Sequence, residues 1–210
     1  SLRDTKNAKV FVEAKTAIHT FIRTLESFEF SVSRLNALIL SFFRRFAQLL
    51  RERFASDFQQ AIREAQHQPM IVNDATELAK VLSVCWLKPG EAEQLGKQPF
   101  PLSLPFSQTY PLCCMDIRSL VEQYYSFSQG MTQYHQEIDA ILSQSLDDLL
   151  IQLISVNIRD TVEQSNNLSQ IAQIIVNIEH FQLACSELEK WLSESSTPNP
   201  GSQLVLGASE

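Results

Sequence analysis

Three prolines, Pro101, Pro105 and Pro111, fall close together in the middle of a 210-residue chain whose flanking segments are patterned for helix. Proline fixes φ, removes an N–H donor and pushes the residue before it toward extended backbone. Residues 99 to 110 are therefore expected to belong to neither neighbouring helix and to cross the surface as an extended strap. Phe100, Leu104, Phe106 and Tyr110 give that strap apolar anchors, so it should be docked. Pro111 suits the first turn of the next helix, where a missing N–H costs nothing.

Composition narrows the rest. Glycine occurs only at 90, 96, 130, 201 and 207, which leaves little material for tight turns or phosphate-cradling loops. No G-x-S-x-G, G-x-G-x-x-G or Walker sequence exists. With 44% hydrophobic residues the chain has enough apolar surface for a core, and the few glycines favour long helices. The longest apolar run, Ala37 to Phe43 with Ser41 inside it, is far short of the roughly 18 to 20 residues that cross a bilayer. Residues 1–6 contain no apolar signal-peptide core, although a fragment can have lost one. Cys85, Cys113, Cys114 and Cys185 give no C-x-x-C spacing and read as reduced, mostly buried thiols of a cytosolic protein. Asn167-Leu168-Ser169 matches a glycosylation sequon but falls at an expected helix start. The net charge of -7 is uneven: residues 1–68 carry 11 Lys and Arg against 7 Asp and Glu, and residues 69–210 carry 6 against 17. The acidic portion would repel nucleic acid.

The apolar period assigns an all-α chain. Val10, Ala14, Ala17, Ile18, Phe21, Ile22, Leu25 and Phe28 form one helical stripe over about residues 4–28. After a break at 29–32, with Ser31 or Ser33 as cap, Leu35, Leu38, Ile39, Phe42, Phe46, Leu49, Leu50, Phe54, Phe58, Ala61 and Ile62 continue a stripe for about thirty residues, roughly 45 Å of helix. The two should form an antiparallel hairpin. Asp74 with Glu77 caps a short helix to about Cys85. Beyond the strap, one helix runs from Pro111 to about Gln129 and stops at Gly130. A second, capped by Thr132, runs to about Thr161, and a third from Asn166 or Asn167 carries Ile171, Ile174, Ile175, Ile178, Phe181, Cys185, Leu188 and Trp191. The implied organisation is an N-terminal helical section over 1–88, a proline-rich strap over 89–111, a three-helix section over 112–195 and a linker or tail over 196–210. Hairpins stacked into an elongated rod are the expected architecture.

No catalytic, cofactor-binding or metal-ligating set emerges. His19, His67, His135 and His180 lack a second ligand at helical spacing. Glu179-His180 are neighbours that face different directions on a helix, so His180 reads as packed or solvated. Asp147-Asp148 and the Glu137/Asp139 pair lie within one amphipathic helix and read as a soluble face. Phe42/Phe43, Tyr124/Tyr125, Trp86 and Trp191 read as core, with one member of each adjacent pair free to touch a partner.

The run Phe100 to Ser128, F-P-L-S-L-P-F-S-Q-T-Y-P-L-C-C-M-D-I-R-S-L-V-E-Q-Y-Y-S-F-S, is followed by Ile138-Asp139 with Ser145 to Leu150 and then by Leu168 to Phe181 with Ala184-Cys185 and Leu188-Glu189. In this order the chain resembles the Sec fifteen subunits of the exocyst, most closely in their fungal form. The upstream Leu25 to Phe30 and the Trp86 to Gln98 connection fit the same family. The resemblance implies a helical-rod fold of the vesicle-tethering type and a non-catalytic scaffold that holds secretory vesicles at the plasma membrane before fusion. It implies no cofactor, a cytoplasmic protein peripheral on secretory vesicles and at exocytic sites, indirect membrane association, and partners among other exocyst subunits, the Sec ten type first. The full-length subunit would act as effector of a vesicle Rab GTPase, through residues expected outside this fragment. Within the fragment, Phe100, Phe106 and Tyr110 are the expected structural strap, packing into the junction between helical sections. A rival reading is a membrane-curving helical dimer of the BAR type, for which the Lys/Arg excess of the first hairpin is thin. A helical lipid-processing enzyme is a third.

Overall fold

In a computed structural model, which describes residues 2–65, 67–131 and 134–195, the chain is all-α. Eight α-helices among the described residues are joined by short connections and one two-stranded ribbon. Helix α1 (Leu2–Ser27) turns into α2 (Ser33–Glu64), and β1 (Ile71–Val72) leads into α3 (Ala75–Val84). A short α4 (Glu91–Gly96) and β2 (Leu102–Ser103) precede α5 (Thr109–Ser128). Then α6 (His135–Asp147), a π-helical segment (Asp148–Ser155) and α7 (Val156–Gln164) follow one another without a break, and α8 (Leu168–Ser195) packs against α5 and α7.

The 32-residue α2 is the spine. It buries Ile39, Phe43, Phe46, Ala47, Leu50, Phe54 and Phe58 against α1, α5, α6 and the π-helical segment. Phe46 stacks on Phe127 of α5 at 4.4 Å, and Phe43 meets Tyr124 edge-on at 4.8 Å. Arg51 adds a charged hydrogen bond to Asp148 across to the π-helical segment. The stripe expected on α2 is turned by about one residue: Leu38 is exposed and Phe43, not Phe42, is fully buried. A helix packed by several neighbours buries a face wider than one seam, so apolar spacing alone does not locate its centre.

Helix α1 departs further. Of its expected stripe only Ile22 is buried, while Val10, Phe21 and Phe28 are exposed, because α2 is the element α1 packs against. Its other deep contact is polar: Lys15 donates to the Gln129 carbonyl at 2.5 Å, at the C-terminal end of α5 where carbonyls lack helical partners. Burial lowers the Lys15 pKa. The α1–α2 turn closes as a double C-cap, Phe30 N–H to Leu25 O and Glu29 N–H to Glu26 O, with Glu29 at φ +61° where glycine is usual. The expected serine cap of α2 is absent: Val32 occupies that position, and the Ser31 and Ser33 hydroxyls lie 3.2 Å from each other.

Asp74 caps α3 as the sequence implies, accepting from Glu77 N–H at 2.8 Å, and Glu77 reaches back to Asn73 N–H at 2.7 Å. Helix α5 starts two residues before the expected position. Thr109 and Tyr110 are helical and Pro111 is third, which is tolerated because the first turn has no intrahelical N–H partners to lose. Gly130 follows α5 at φ +79°. The Thr132 cap and the linker and tail over 196–210 lie outside the described residues, as does the side chain of Trp191. Asn167, before α8, accepts from Ser169 N–H at 2.9 Å.

Candidate functional site

The strap is held on both edges by hydrogen bonds. Leu102, Leu104 and Phe106 alternate inward with Ser103 outward, the period of an extended chain on a core. One edge of the strap pairs with residues 70–72. Ile71 lies opposite Ser103 and Val72 opposite Leu102, while Leu104 N–H donates to Met70 O at 2.7 Å and Met70 N–H to Phe106 O at 2.9 Å.

The other edge is held by α8. Gln173 Nε2 donates to Pro105 O at 2.9 Å, Ser107 N–H donates to Asn177 Oδ1 at 2.9 Å, and Asn177 Nδ2 donates to Ser107 Oγ at 2.7 Å. Ser107, Gln173 and Asn177 are all buried, so these bonds satisfy groups that no water reaches. Two carboxamides one helical turn apart thus take the place of a pairing strand.

His180, one turn further, completes the row. Its ring lies 5.1 Å from Phe106 and 5.3 Å from Tyr110, edge-on. Nδ1 is 2.8 Å from Val176 O and Nε2 is 3.3 Å from Glu91 Oε1, so α4 is tied to α8 through the ring. Tyr110 packs on Phe181 and donates its hydroxyl to Trp86 O at 2.6 Å. Burial, foremost, raises the Tyr110 pKa and keeps the phenol neutral. Arg118 donates to Val84 O at 2.8 Å and lays its guanidinium 4.1 Å over the Trp86 ring.

Phe106 and Tyr110 are fully buried in this junction. Phe100 is not: it is 38% exposed, because the chain bends at residues 100–101 before the inward alternation begins at Leu102. Beneath the junction, Cys85 and Cys113 are held as neutral thiols. A hydrogen bond to Cys114, then burial, pushes Cys85 up, and burial pushes Cys113 up.

The remaining candidates do not converge. His19 and His67 are half-buried and His135 is exposed, in separate parts of the fold. Burial lowers the His67 pKa. Glu137 and Asp147 are exposed, and Asp148 bonds Arg51. Tyr124 and Phe43 are core, with Tyr125 and Phe42 half-buried beside them. Asp116 borders a 40 Å³ cleft between α2 and α5 with Arg53 and Asp57. Burial first, then the Asp57 charge, raises its pKa to about 6 against the pull of Arg53. The cleft has room for little more than a water. Among the described residues no group of three or more His, Cys, Asp or Glu side chains could hold a metal ion, and no helix is long and apolar enough to cross a membrane.

Gln173 and Asn177 were not foreseen from the sequence. The available signal was three polar residues, 173, 177 and 180, at helical spacing among the buried positions Ile174, Phe181 and Ala184.

Comparison with known proteins points one way. The family model described as exocyst complex subunit Sec15 C-terminal matches residues 34–210, from the start of α2 onward. The chain is 27% identical over 209 residues to exocyst complex component SEC15 of Saccharomyces cerevisiae, covering 97% of this chain and 23% of that protein. It is 28% identical over 183 residues to exocyst complex component 6 of Rattus norvegicus, covering 87% and 22%. Against exocyst complex component sec15 of Schizosaccharomyces pombe it is 23% identical over 187 residues, covering 89% and 23%. The chain therefore spans less than a quarter of the length of these relatives. No solved structure matches it.

Proposed function

The chain belongs to the exocyst complex subunit Sec15 C-terminal family, and from that premise we propose that it is a non-catalytic section of an exocyst scaffold, contributing with the rest of its subunit to tethering secretory vesicles at the plasma membrane before fusion. The observation that carries this reading is how the strap junction uses its polar groups. Gln173, Asn177, Tyr110 and Arg118 all bond the chain's own backbone or, for Asn177, also Ser107. A binding or catalytic site keeps convergent polar groups open for a ligand, whereas this arrangement closes them on the strap and on the carbonyls of Val84 and Trp86 beside it. It acts as a joint.

In this account the strap over 89–111, which is not extended throughout but carries α4 at Glu91–Gly96 and enters α5 at Thr109, is a staple between the helical sections 1–88 and 112–195, which stack as part of an elongated rod. Phe106 and Tyr110 anchor the staple, and Phe100 caps its outer end. A tether gains length from helices and makes its contacts over broad surfaces. The partners are other exocyst subunits, the Sec ten type first, and the full-length subunit is the effector of a vesicle Rab GTPase. The protein is cytoplasmic and peripheral at vesicles and exocytic sites.

A pull-down of exocyst subunits and GTP-loaded Rab, comparing residues 1–195 with a chain extended past Glu210, tests the proposal. Capture of a neighbouring subunit supports it, with Rab capture expected of the extended chain. Failure of both chains to capture any exocyst subunit or Rab would overturn it. Salt-sensitive liposome binding by a stable homodimer would favour the BAR-type rival.

A further inference from the structure

Tyr110, Cys114 and Arg118 follow one another at single-turn spacing on one face of α5. Tyr110 donates to Trp86 O at 2.6 Å and Arg118 to Val84 O at 2.8 Å. These two bonds fix the register of α5 against the end of α3, an element it packs on. Residue 110 stands by 86 and residue 118 by 84, so the residue midway on the helix face meets the residue midway along the chain. Those two residues are Cys114 and Cys85. The register therefore joins two thiols that have no C-x-x-C relation in sequence, and the Cys85 thiol hydrogen-bonds the Cys114 sulfur.

The two sulfurs differ in character. Burial works against a thiolate at Cys114, but hydrogen bonds from Cys85, Tyr110 and the Trp86 backbone, with the nearby Arg118 charge, hold its pKa below the ordinary thiol value. Cys85 keeps its proton. It follows α3 at the start of the non-helical segment 85–88, where the backbone is free of helical bonds and can shift toward disulfide geometry. The other two thiols lack this setting. Cys113 is turned about 100° around α5 from Cys114, and Cys185 lies half-buried on α8.

We propose that Cys85 and Cys114 form a peroxide-sensitive dithiol that closes reversibly into a disulfide, bolting the end of α3 to α5. The Cys114 sulfur attacks one oxygen of hydrogen peroxide, the O–O bond breaks, and Cys114 becomes a sulfenic acid as one water leaves. The Cys85 sulfur then attacks the sulfenic sulfur. An S–S bond forms, the S–O bond breaks, and the hydroxyl leaves with the Cys85 proton as a second water. Two thiols are oxidised and one peroxide is reduced to two waters. A water-sized oxidant suits the place, because Cys85 is 7% exposed and Cys114 is fully buried. The closed bond encloses α4 and the strap in a covalent loop, and a thiol reductant reopens it.

The test is peroxide treatment of the folded 210-residue chain, alkylation of the remaining thiols and peptide mass spectrometry without reduction. Wild type and the double variant C113S/C185S should both yield the Cys85–Cys114 cross-link, in wild type at least about tenfold above any other pair, and dithiothreitol should remove it. Cys85→Ser should leave Cys114 as a sulfenic acid that dimedone captures. Cross-linking of a different pair, sulfinic acid at Cys114 in wild type without the cross-link, or a cross-link formed only in denaturant would each overturn the proposal. Should Cys85→Ser fail to fold, the wild type and C113S/C185S decide the matter by themselves.

Discussion

The strap junction and the α1–α2 hairpin are built from similar residues and held in opposite ways. At the junction, Phe106 and Tyr110 are sealed under backbone bonds to Met70 and side-chain bonds from α8. At the hairpin end, Phe28 and Phe30 are 69% and 63% exposed, and a backbone cap closes the turn without burying either ring. Aromatic content alone therefore does not tell which part of a helical chain is fixed. What separates the two regions is whether polar partners close around the backbone that carries the rings.

Phe106→Ala attacks the fixed region at its centre and should produce the largest effect, a loss of about 3 to 5 kcal/mol for a fully buried phenylalanine, read from denaturant unfolding. A change below about 1 kcal/mol would make the strap an ordinary loop. Asn177→Ala removes both bonds to Ser107 and leaves a buried N–H without its acceptor. It should cost about 2 to 3 kcal/mol in the same measurement.

Asp116→Asn probes the α2–α5 seam, which lies in neither region. The folded Asp116 pKa, about 6, stands above the ordinary 3.8, so the folded state binds the extra proton between those values. Wild-type stability falls as pH rises through that window and stays reduced above it. The asparagine variant should match wild type near pH 4 and exceed it at pH 7 by roughly 1 kcal/mol, a figure discounted for the partial exposure of the group. A gain that is equal at both pH values would remove the carboxylate as its cause. The smallest effect belongs to the hairpin: Glu29→Gly relieves a left-handed backbone position and should raise stability by about 0.5 to 1 kcal/mol, visible as a small increase in Tm.

The sequence was legible where local rules act alone. The reach of α2, the Asp74 cap, the stop at Gly130 and the docking of Leu104 and Phe106 follow from spacing, capping chemistry and proline restriction. It was illegible where a neighbour decides. Phe21 has the spacing of a core residue but lies exposed on a helix packed mainly against α2, and Phe42 gives way to Phe43 because α2 meets several elements. At the candidate site, Phe106 and Tyr110 were visible as anchors. Gln173 and Asn177 were not, because polar residues on a helix are read as outward unless a buried backbone is known to need them. That need arises only once the prolines have taken the strap out of helical pairing.

Amide hydrogen exchange at Leu104 and Ser107 tests the closed joint most directly. Their N–H groups donate to Met70 O and to Asn177 Oδ1, and if these bonds open only with the core, both amides should exchange as slowly as that of Val121 in the middle of α5. Exchange at Ser107 as fast as in an exposed loop, with Val121 still protected, would contradict the account.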